Sequence, residues 1–402
     1  MNVTRNGLLA QVSAAHLISH LHIMTVPALL PLLPGVMEVG FVELGIAIGV
    51  FNIVTALVQI PLGFMVDRLG AKRMLLAALL LGAFSFGLVA AIPTYTCLLV
   101  AMALAGLANG VYHPADYALL SRGMAPERMG RAFSVHTFSG FLGGALAPPV
   151  MIGVAMMLEP RWAFAVAAGA GLLVFALVAP GREQVPSERE AAESSRAEQR
   201  PLSTPLASLA ILMLLFMMLN LSTGSIEQFS VSALVGGFDV SLSDANRALT
   251  VFLFSTAFGV LAGGVLADLT QRHGSLAGIA FALAACLAMV VASVPLSPLM
   301  LALVLGATGF LAGVVAPSRD MLVRAASPAG AEGRTFGIVS TGFNIGGVVG
   351  PILFGFMLDR GWHTSLFWAT ATFMGITTLI VLYQEQRKIR STGTALAEAQ
   401  GS

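Results

Sequence analysis

Histidines inside apolar segments are the residues of this sequence best suited to chemistry. His16 and His20 are four positions apart, so on a helix they lie on one face, one turn from each other. His113 and His136 occur in two later apolar segments. Imidazole rings can bind protons, a polar ligand or a transition metal. The spacing leaves open a purely structural role, with the rings hydrogen-bonded to nearby backbone.

Two further ionisable residues are candidates: Glu227 lies well inside an apolar segment, and Arg319 lies nearer the end of another. Glu227 is a carboxyl that can take up and release a proton, or a contact partner near one end of its helix. The guanidinium of Arg319 can bind an anion through two parallel hydrogen bonds. Uncharged polar candidates occur on the same kinds of segment, and they are Asn52, Gln59, Asn109, Asn220 and Asn344.

The composition requires lipid as the solvent for most of these segments. The 402 residues are 57% hydrophobic and 10% charged, with a mean hydropathy of +0.87. Soluble domains carry about a quarter charged residues. A chain this long with so little charge cannot cover itself with a surface that water tolerates. The net charge of +1 does not favour a nucleic-acid partner.

Apolar runs predict an all-α membrane protein with twelve spans, since a helix needs about 20 apolar residues to cross the hydrocarbon layer. The spans are predicted at 8–33, 43–66, 73–92, 95–120, 131–157, 162–180, 206–235, 246–267, 275–296, 298–325, 335–358 and 363–384. Charges of both signs and several prolines predict a solvated linker between the two sets of six. The predicted organisation is a six-helix bundle at 1–180, a linker at 181–205, a second bundle at 206–385 and a tail at 386–402.

Basic residues predict the orientation of the chain. Almost all Lys and Arg residues fall at the span ends on the N-terminal side of the membrane, and only Arg161, Arg247 and Arg360 fall at the other ends. Loops rich in Lys and Arg remain in the cytoplasm. Both termini and the linker are therefore predicted to be cytoplasmic.

An internal repeat relates the two halves. Residues 110–149 align without a gap to residues 313–352, and the offset is constant (313 − 110 = 351 − 148 = 203). Gly110 matches Gly313, Pro114 matches Pro317 and the Gly143–Gly144 pair matches Gly346–Gly347. The ionisable residues do not repeat, because His113 aligns with Ala316 and Glu227 with Met24. Packing is therefore predicted to be common to both halves, and the chemistry to be divided unequally.

The loop after the second span resembles the GxxxDRxGRR signature of the major facilitator superfamily. It reads Gly63-Phe-Met-Val-Asp67-Arg68-Leu-Gly70-Ala-Lys72-Arg73. The resemblance implies two six-helix bundles related by a pseudo-two-fold axis, and a charged latch that joins the bundles at the cytoplasmic face. The latch is predicted to contain Gly63, Asp67, Arg68, Gly70, Lys72, Arg73, Asp116, Arg122, Asp268 and Asp320.

Three stretches resemble the fosmidomycin-resistance group of drug exporters. They are HLISHLHIMTVPALLPLLP, VQIPLGFMVDR and GLANGVYHPADYALL, in the first, second and fourth spans. This chain has His20 where that group tends to carry an acid, and it has Ala115 followed by Asp116 where the group has a glutamate. The resemblance therefore implies the fold more directly than the substrate.

The expected function is secondary transport of a small polar or anionic organic solute by alternating access, as proton-coupled export. The alternatives are uptake or export of a transition metal or metal chelate at His16, His20, His113 and His136, and a non-transporting membrane sensor. The sequence contains neither a P-loop nor a His-Glu-x-x-His motif, so an ATP-driven pump and a metalloprotease are not expected. We expect a monomer in the bacterial inner membrane, with solute, protons and lipid as partners and with neither a cofactor nor nucleic acid.

Overall fold

A computed structural model describes residues 5–124, 128–180, 205–270, 272–327 and 332–401. Twelve helices in this part of the chain are long and apolar enough to cross a membrane, which confirms the predicted all-α architecture. They are α1 (Arg5–Leu29), α2 (Phe41–Leu69), α3 (Ala71–Ala91), α4 (Tyr95–Gly123), α5 (Met129–Met157), α6 (Pro160–Val178), α7 (Leu206–Gly237), α8 (Leu242–Leu269), α9 (His273–Ser293), α10 (Pro298–Ala326), α11 (Glu332–Asp359) and α12 (His363–Gly401).

The first and last helices differ most from the predicted bounds. The first span was expected to continue to residue 33, but α1 ends at Leu29 and a short helix follows at Leu33–Met37. Pro31 lacks the N–H that would continue the α-helical ladder, so the chain turns there. At the other end α12 continues to Gly401, beyond the expected span end at residue 384. The linker was predicted at 181–205, and residues 181–204 of it lie outside the described part of the chain.

Equivalent helices pack together in the two halves. The pairs α1–α5, α2–α4 and α3–α6 of the first half correspond to α7–α11, α8–α10 and α9–α12 of the second. Each of these six pairs forms an extensive contact. The repeat in the sequence is therefore also a repeat of helix packing.

The two halves meet mainly through α2 with α11 and α5 with α8. We call the side where α1 begins and α12 ends the terminal side, and the opposite side the far side. A Cβ at Gly45 or Gly355, near the far side, would overlap the carbonyl oxygen of Pro351 or of Phe41 in the other half. At Gly63, near the terminal side, a Cβ would meet no atom within 4 Å. Along α2 and α11 the close contacts between the halves thus lie on the far side.

Candidate functional site

Three helices of the first half bring one carboxylate and two imidazoles into contact. His136 Nε2 on α5 lies 3.0 Å from Asp116 Oδ2 on α4, at hydrogen-bonding geometry. His16 Nδ1 on α1 lies 3.3 Å from the same oxygen. The rings of His16 and His136 stack with 3.9 Å between their centroids. We call these three residues the Asp116 triad, and all three are buried.

The Asp116 triad contains two polar atoms that the described protein does not satisfy. His16 Nδ1 is close to the carboxylate but lacks hydrogen-bonding geometry, and Asp116 Oδ1 has no hydrogen-bond partner among the described residues. Leaving a buried polar group without a partner costs about 1–3 kcal/mol. Such a cost at a packed helix interface is characteristic of a site selected for chemistry.

Two more histidines lie beside the Asp116 triad. The rings of His20 and His113 lie 4.7 and 5.2 Å from the ring of His16, both in edge-to-face arrangements. Asp116 is fully buried, but His113 and Tyr117 on the same helix are exposed. Tyr117 is within electrostatic range of Asp320 in the second half. The exposed side of the histidine group therefore faces the space between the halves.

Close packing of α1 against α5 positions the histidines. A Cβ added at Gly140 would lie 2.7 Å from ring atoms of His16 and 3.0 Å from the ring of His20. One turn further on, a Cβ at Gly143 would overlap the backbone carbonyl of Leu17. Small residues at this spacing let two membrane helices approach closely. The glycines of α5 thus leave room for the rings that α1 supplies.

Asp116 was predicted to belong to the latch, and the structure gives it a different setting. The carboxylate is fully buried among histidines of its own half, while Asp67 and Arg68 of the signature loop are exposed. The sequence did contain a signal for the observed position, because Asp116 is three residues after His113 and shares its helix face.

The second half carries a cation at the equivalent place. Arg319 of α10 aligns with Asp116 by the repeat (319 − 116 = 203). Its guanidinium carbon lies 4.9 Å from the ring centre of Phe216 and 5.1 Å from that of Phe343. Arg319 Nε and Nη2 contact Asp320 Oδ1 at 2.8 and 2.7 Å. Asp320, which was predicted for the latch, is therefore the ion-pair partner of its neighbour.

The uncharged polar candidates have different settings. Asn52 Nδ2 donates to the carbonyls of Ile48 and, at 2.8 Å, of Gly347, so Asn52 joins the two halves. Asn109 Nδ2 lies 3.5 Å from Thr55 Oγ1 within the first half. Gln59 on α2 and Asn344 on α11 are half-buried.

Two candidates on α7 remain apart from the Asp116 triad. Asn220 packs against α11. A Cβ added at Gly346 of α11 would lie 2.9 Å from the Cβ of Asn220. Glu227 is half-buried on the same side of α7, nearer the far side. The described residues give its carboxylate neither a hydrogen bond nor an ion pair. The contacts described for the Asp116 triad include neither Asn220 nor Glu227.

The signature loop lies where α2 gives way to α3. Gly70 has φ +98°, a conformation that favours glycine and produces the sharp turn. Lys72 Nζ donates to the carbonyl of Pro180, at the end of the same half. Asp268, at the equivalent end of α8, is exposed. The side chain of Arg122 lies outside the described residues, and contact of the latch across the halves stays a prediction.

The donor atoms of the Asp116 triad also meet the basic spacing requirement of a metal site. One atom each from His16, Asp116 and His136 lies within 4.8 Å of the other two. The predicted metal set of four histidines differs from this group, because Asp116 is included and His20 and His113 are not. Two imidazoles and one carboxylate suit borderline transition metals.

Comparison with known proteins identifies the family. The model of the Major Facilitator Superfamily matches residues 12–241 and 226–400. The chain belongs to this superfamily. The predicted resemblance to the superfamily and to the fosmidomycin-resistance group is thereby confirmed, and members of the superfamily are transporters and not enzymes.

Individual relatives cover most of this superfamily member. The fosmidomycin resistance protein of Escherichia coli is 24% identical over 288 residues, which are 69% of this chain and 70% of the relative. A probable sulfoacetate transporter of Cupriavidus necator is 24% identical over 94% of both chains. A bacterial homologue of the human lysosomal transporter Spinster, in an inward-facing and occupied conformation, superposes with a TM-score of 0.76 at 13% identity and covers 98% of each chain. That last similarity establishes the fold alone.

Proposed function

We propose that this transporter couples the movement of a proton to that of a small polar or anionic organic solute, and that the Asp116 triad is the proton site. The observation that carries the proposal is a buried carboxylate, with one oxygen shared by two imidazoles and the other without a hydrogen-bond partner among the described residues. Ionisable groups inside a membrane protein are expensive, and they typically mark proton or substrate pathways.

The geometry supports a proton relay of short steps. A proton on Asp116 can pass to His136 across 3.0 Å, and the His16 ring is stacked on that of His136. His113 and Tyr117 connect this buried group to the exposed surface between the halves. Proton exchange would therefore take place from the space that opens toward the terminal side.

Alternating access supplies the coupling. The contacts of α2 with α11 close the far side, so the site is reached from the terminal side in this conformation. Binding of solute and release of the proton would then favour separation on the far side and closure on the terminal side. Closure on the terminal side is the step in which the latch of Asp67 and Arg68 would form its contacts.

The proposed direction is export from the cytoplasm in exchange for protons. The bias of basic residues supports a cytoplasmic terminal side, in a bacterial inner membrane. The relative named for fosmidomycin resistance supports export of a foreign solute, and the relative named for sulfoacetate supports an anion. The protein is proposed to act as a monomer.

The test is transport in proteoliposomes that contain the purified protein. A panel of polar solutes and organic anions is screened first by thermal shift, and solutes that stabilise the protein are used for flux. An imposed proton gradient is expected to drive accumulation of the solute, and solute addition is expected to move protons in the opposite direction. Flux that is unchanged when the pH gradient is removed would contradict the proposal.

A second candidate function is transport of a transition metal or metal chelate. It is favoured by the distance of at most 4.8 Å among one donor atom each of His16, Asp116 and His136. Calorimetric titration of the purified protein with zinc, nickel and iron separates the two functions. Tight binding that is lost in both His16→Gln and His136→Gln would favour the metal, and absence of such binding would remove it.

A further inference from the structure

In the described part of the chain, Arg319 is the cation that contacts two aromatic rings at once. Its guanidinium carbon lies about equally far from the ring centres of Phe216 on α7 and Phe343 on α11, at 4.9 and 5.1 Å. The two rings are themselves edge-to-face, with 4.9 Å between centroids. A guanidinium above aromatic faces is attracted to their electron density. Two such contacts restrict the movement of the group before any ligand arrives.

One of the two hydrogen-bonding edges of the guanidinium is occupied by a neighbour. Nε and Nη2 both point to Asp320 Oδ1, at 2.8 and 2.7 Å, so the side edge is used. The end edge, formed by Nη1 and Nη2, faces no partner among the described side chains. The side chain of Arg319 is 18% exposed, so part of it is open to solvent.

We propose that the end edge of Arg319 binds the anionic group of the transported solute. The inference rests on the transport function proposed above and names its substrate class: a small organic anion with a carboxylate, sulfonate or phosphonate group. These groups present two oxygens in a plane, which match the fork of a guanidinium through two charge-assisted hydrogen bonds. Because the rings already fix the fork, little conformational entropy is lost on binding.

Arg319, the proposed anion site, lies at the same depth as Asp116 of the proposed proton site. Asp116, His136 and Arg319 each lie seven residues from the terminal-side ends of their helices (123 − 116, 136 − 129 and 326 − 319), which is about 10 Å along each axis. Arg319 is the repeat equivalent of Asp116, so the two halves present opposite charges at equivalent depths. Tyr117 of the first half lies within electrostatic range of Asp320. Asp320, the ion-pair partner of Arg319, is therefore near the helix of the first half that carries Asp116 and His113.

An aromatic ring of the second half occupies the position that is equivalent to a glycine beside the histidines of the first half. Phe343 aligns with Gly140 (343 − 140 = 203), the glycine that adjoins the rings of His16 and His20. The same location in the fold thus holds imidazoles in one half and an aromatic wall beside a cation in the other. This division assigns proton handling to the first half and recognition of the anion to the second.

The test measures thermal unfolding of the full-length transporter in lipid nanodiscs with matched pairs of probes. Each pair compares an anion with a neutral analogue: acetate with acetamide, methanesulfonate with methanesulfonamide, and methylphosphonate with its dimethyl ester. Inorganic phosphate and sulfate form separate arms and distinguish a free inorganic anion from an organic one. We expect at least one organic anion to raise Tm in the wild type, with no shift from its neutral analogue.

Variants connect the expected shift to the guanidinium. Arg319→Lys keeps the charge but loses the fork, and it should weaken anion binding about tenfold or more. Arg319→Gln should abolish the shift, and Phe343→Leu, which keeps Arg319, should weaken binding several-fold by freeing the fork. Arg247→Gln is the control, because Arg247 is an exposed far-side arginine of the same half, and it should leave the shift unchanged.

Each remaining outcome overturns the inference. An anion shift that survives in Arg319→Gln, or a wild type stabilised only by inorganic anions, would overturn it. A wild type that no anion of the panel stabilises would also overturn it. Proton coupling is tested separately on Asp116 with whichever solute does bind, neutral ones included. The substrate class can therefore fail while the proposed coupling stands.

Discussion

At the scale of single residues, one buried carboxylate sets the chemistry of this transporter. Asp116 Oδ2 is shared by His136 and His16, and Asp116 Oδ1 has no hydrogen-bond partner among the described residues. His136 is better placed than His16 to exchange a proton with Asp116, because only His136 lies at hydrogen-bonding geometry to the carboxylate. His22 offers a contrast, since its Nε2 lies 3.0 Å from the carbonyl of Ala167 and serves packing.

Replacing His136 should therefore weaken coupling more than it weakens the fold. We expect His136→Gln to lower gradient-driven accumulation of solute about tenfold or more, in the range of a lost proton-transfer group. The matched control is His22→Gln, which should lower thermal stability and leave coupling intact. Proteoliposome uptake and thermal unfolding measure the two effects. Equal loss of coupling in both variants would contradict a specific role for His136.

Residue-level roles were the part of the site that the sequence predicted least well. The histidines and Arg319 were recognised by type, since ionisable residues stand out in apolar segments. The setting of Asp116 was missed because rotation of α4 about its axis, and not distance along the chain, decides what a side chain faces. Phe216 and Phe343 were missed as partners of Arg319 because aromatic residues are common in membrane helices.

At the scale of helices, α2 and α11 form a contact that closes the far side. The carboxylate of Asp359, the last residue of α11, accepts hydrogen bonds from the backbone N–H groups of Phe41 and Val42 at 2.8 and 2.9 Å. These are the first residues of α2, where N–H groups lack partners within the helix. A negative charge there also interacts favourably with the helix dipole. An acid of one half thus caps a helix of the other.

Removing this cap should open the far side. A cap is worth about 0.5–2 kcal/mol when it is replaced by alanine, so Asp359→Ala should increase the population of the far-side-open state by about 2- to 30-fold. Spin labels at Arg161→Cys and Arg360→Cys, both exposed on the far side, report the separation after Cys286→Ser removes the exposed native thiol. Asp244→Ala is the control, because Asp244 pairs with Ser241 and Arg247 of its own half. An unchanged distance distribution in Asp359→Ala would contradict the prediction.

The helices themselves were well predicted because hydropathy and the 203-residue repeat can be read directly from the sequence. Spans, their number and the shared packing of the halves all follow from these two signals. The cap of α2 could not be predicted in the same way, since Asp359 and Phe41 are 318 residues apart. Only the relative placement of the two halves brings them together.

At the scale of the whole molecule, alternating access requires the two halves to separate on one side and close on the other. The far side is closed by glycine contacts, among them Gly49 opposite Val348, where a Cβ would lie 3.8 Å from the nearest atom of the other half. A covalent bridge there should arrest transport. We expect Gly49→Cys with Val348→Cys to lose most transport when treated with a short bifunctional thiol reagent, and to retain it when untreated.

Single-cysteine variants treated with the same reagent are the controls for this cross-link. They should keep their activity, because one modified thiol does not join the halves. Full transport in the bridged double variant would mean that the far side need not open. That result would exclude alternating access about the interface of α2 and α11.

The central claim, that Asp116 couples proton movement to solute movement, is tested most directly by comparing two kinds of flux in one variant. Asp116→Asn keeps the size of the side chain but cannot release a proton. The account predicts that this variant still exchanges labelled for unlabelled solute across proteoliposomes at a rate near that of the wild type, and that it no longer accumulates solute when a pH gradient is imposed. Gradient-driven accumulation at the wild-type level in Asp116→Asn would contradict the account.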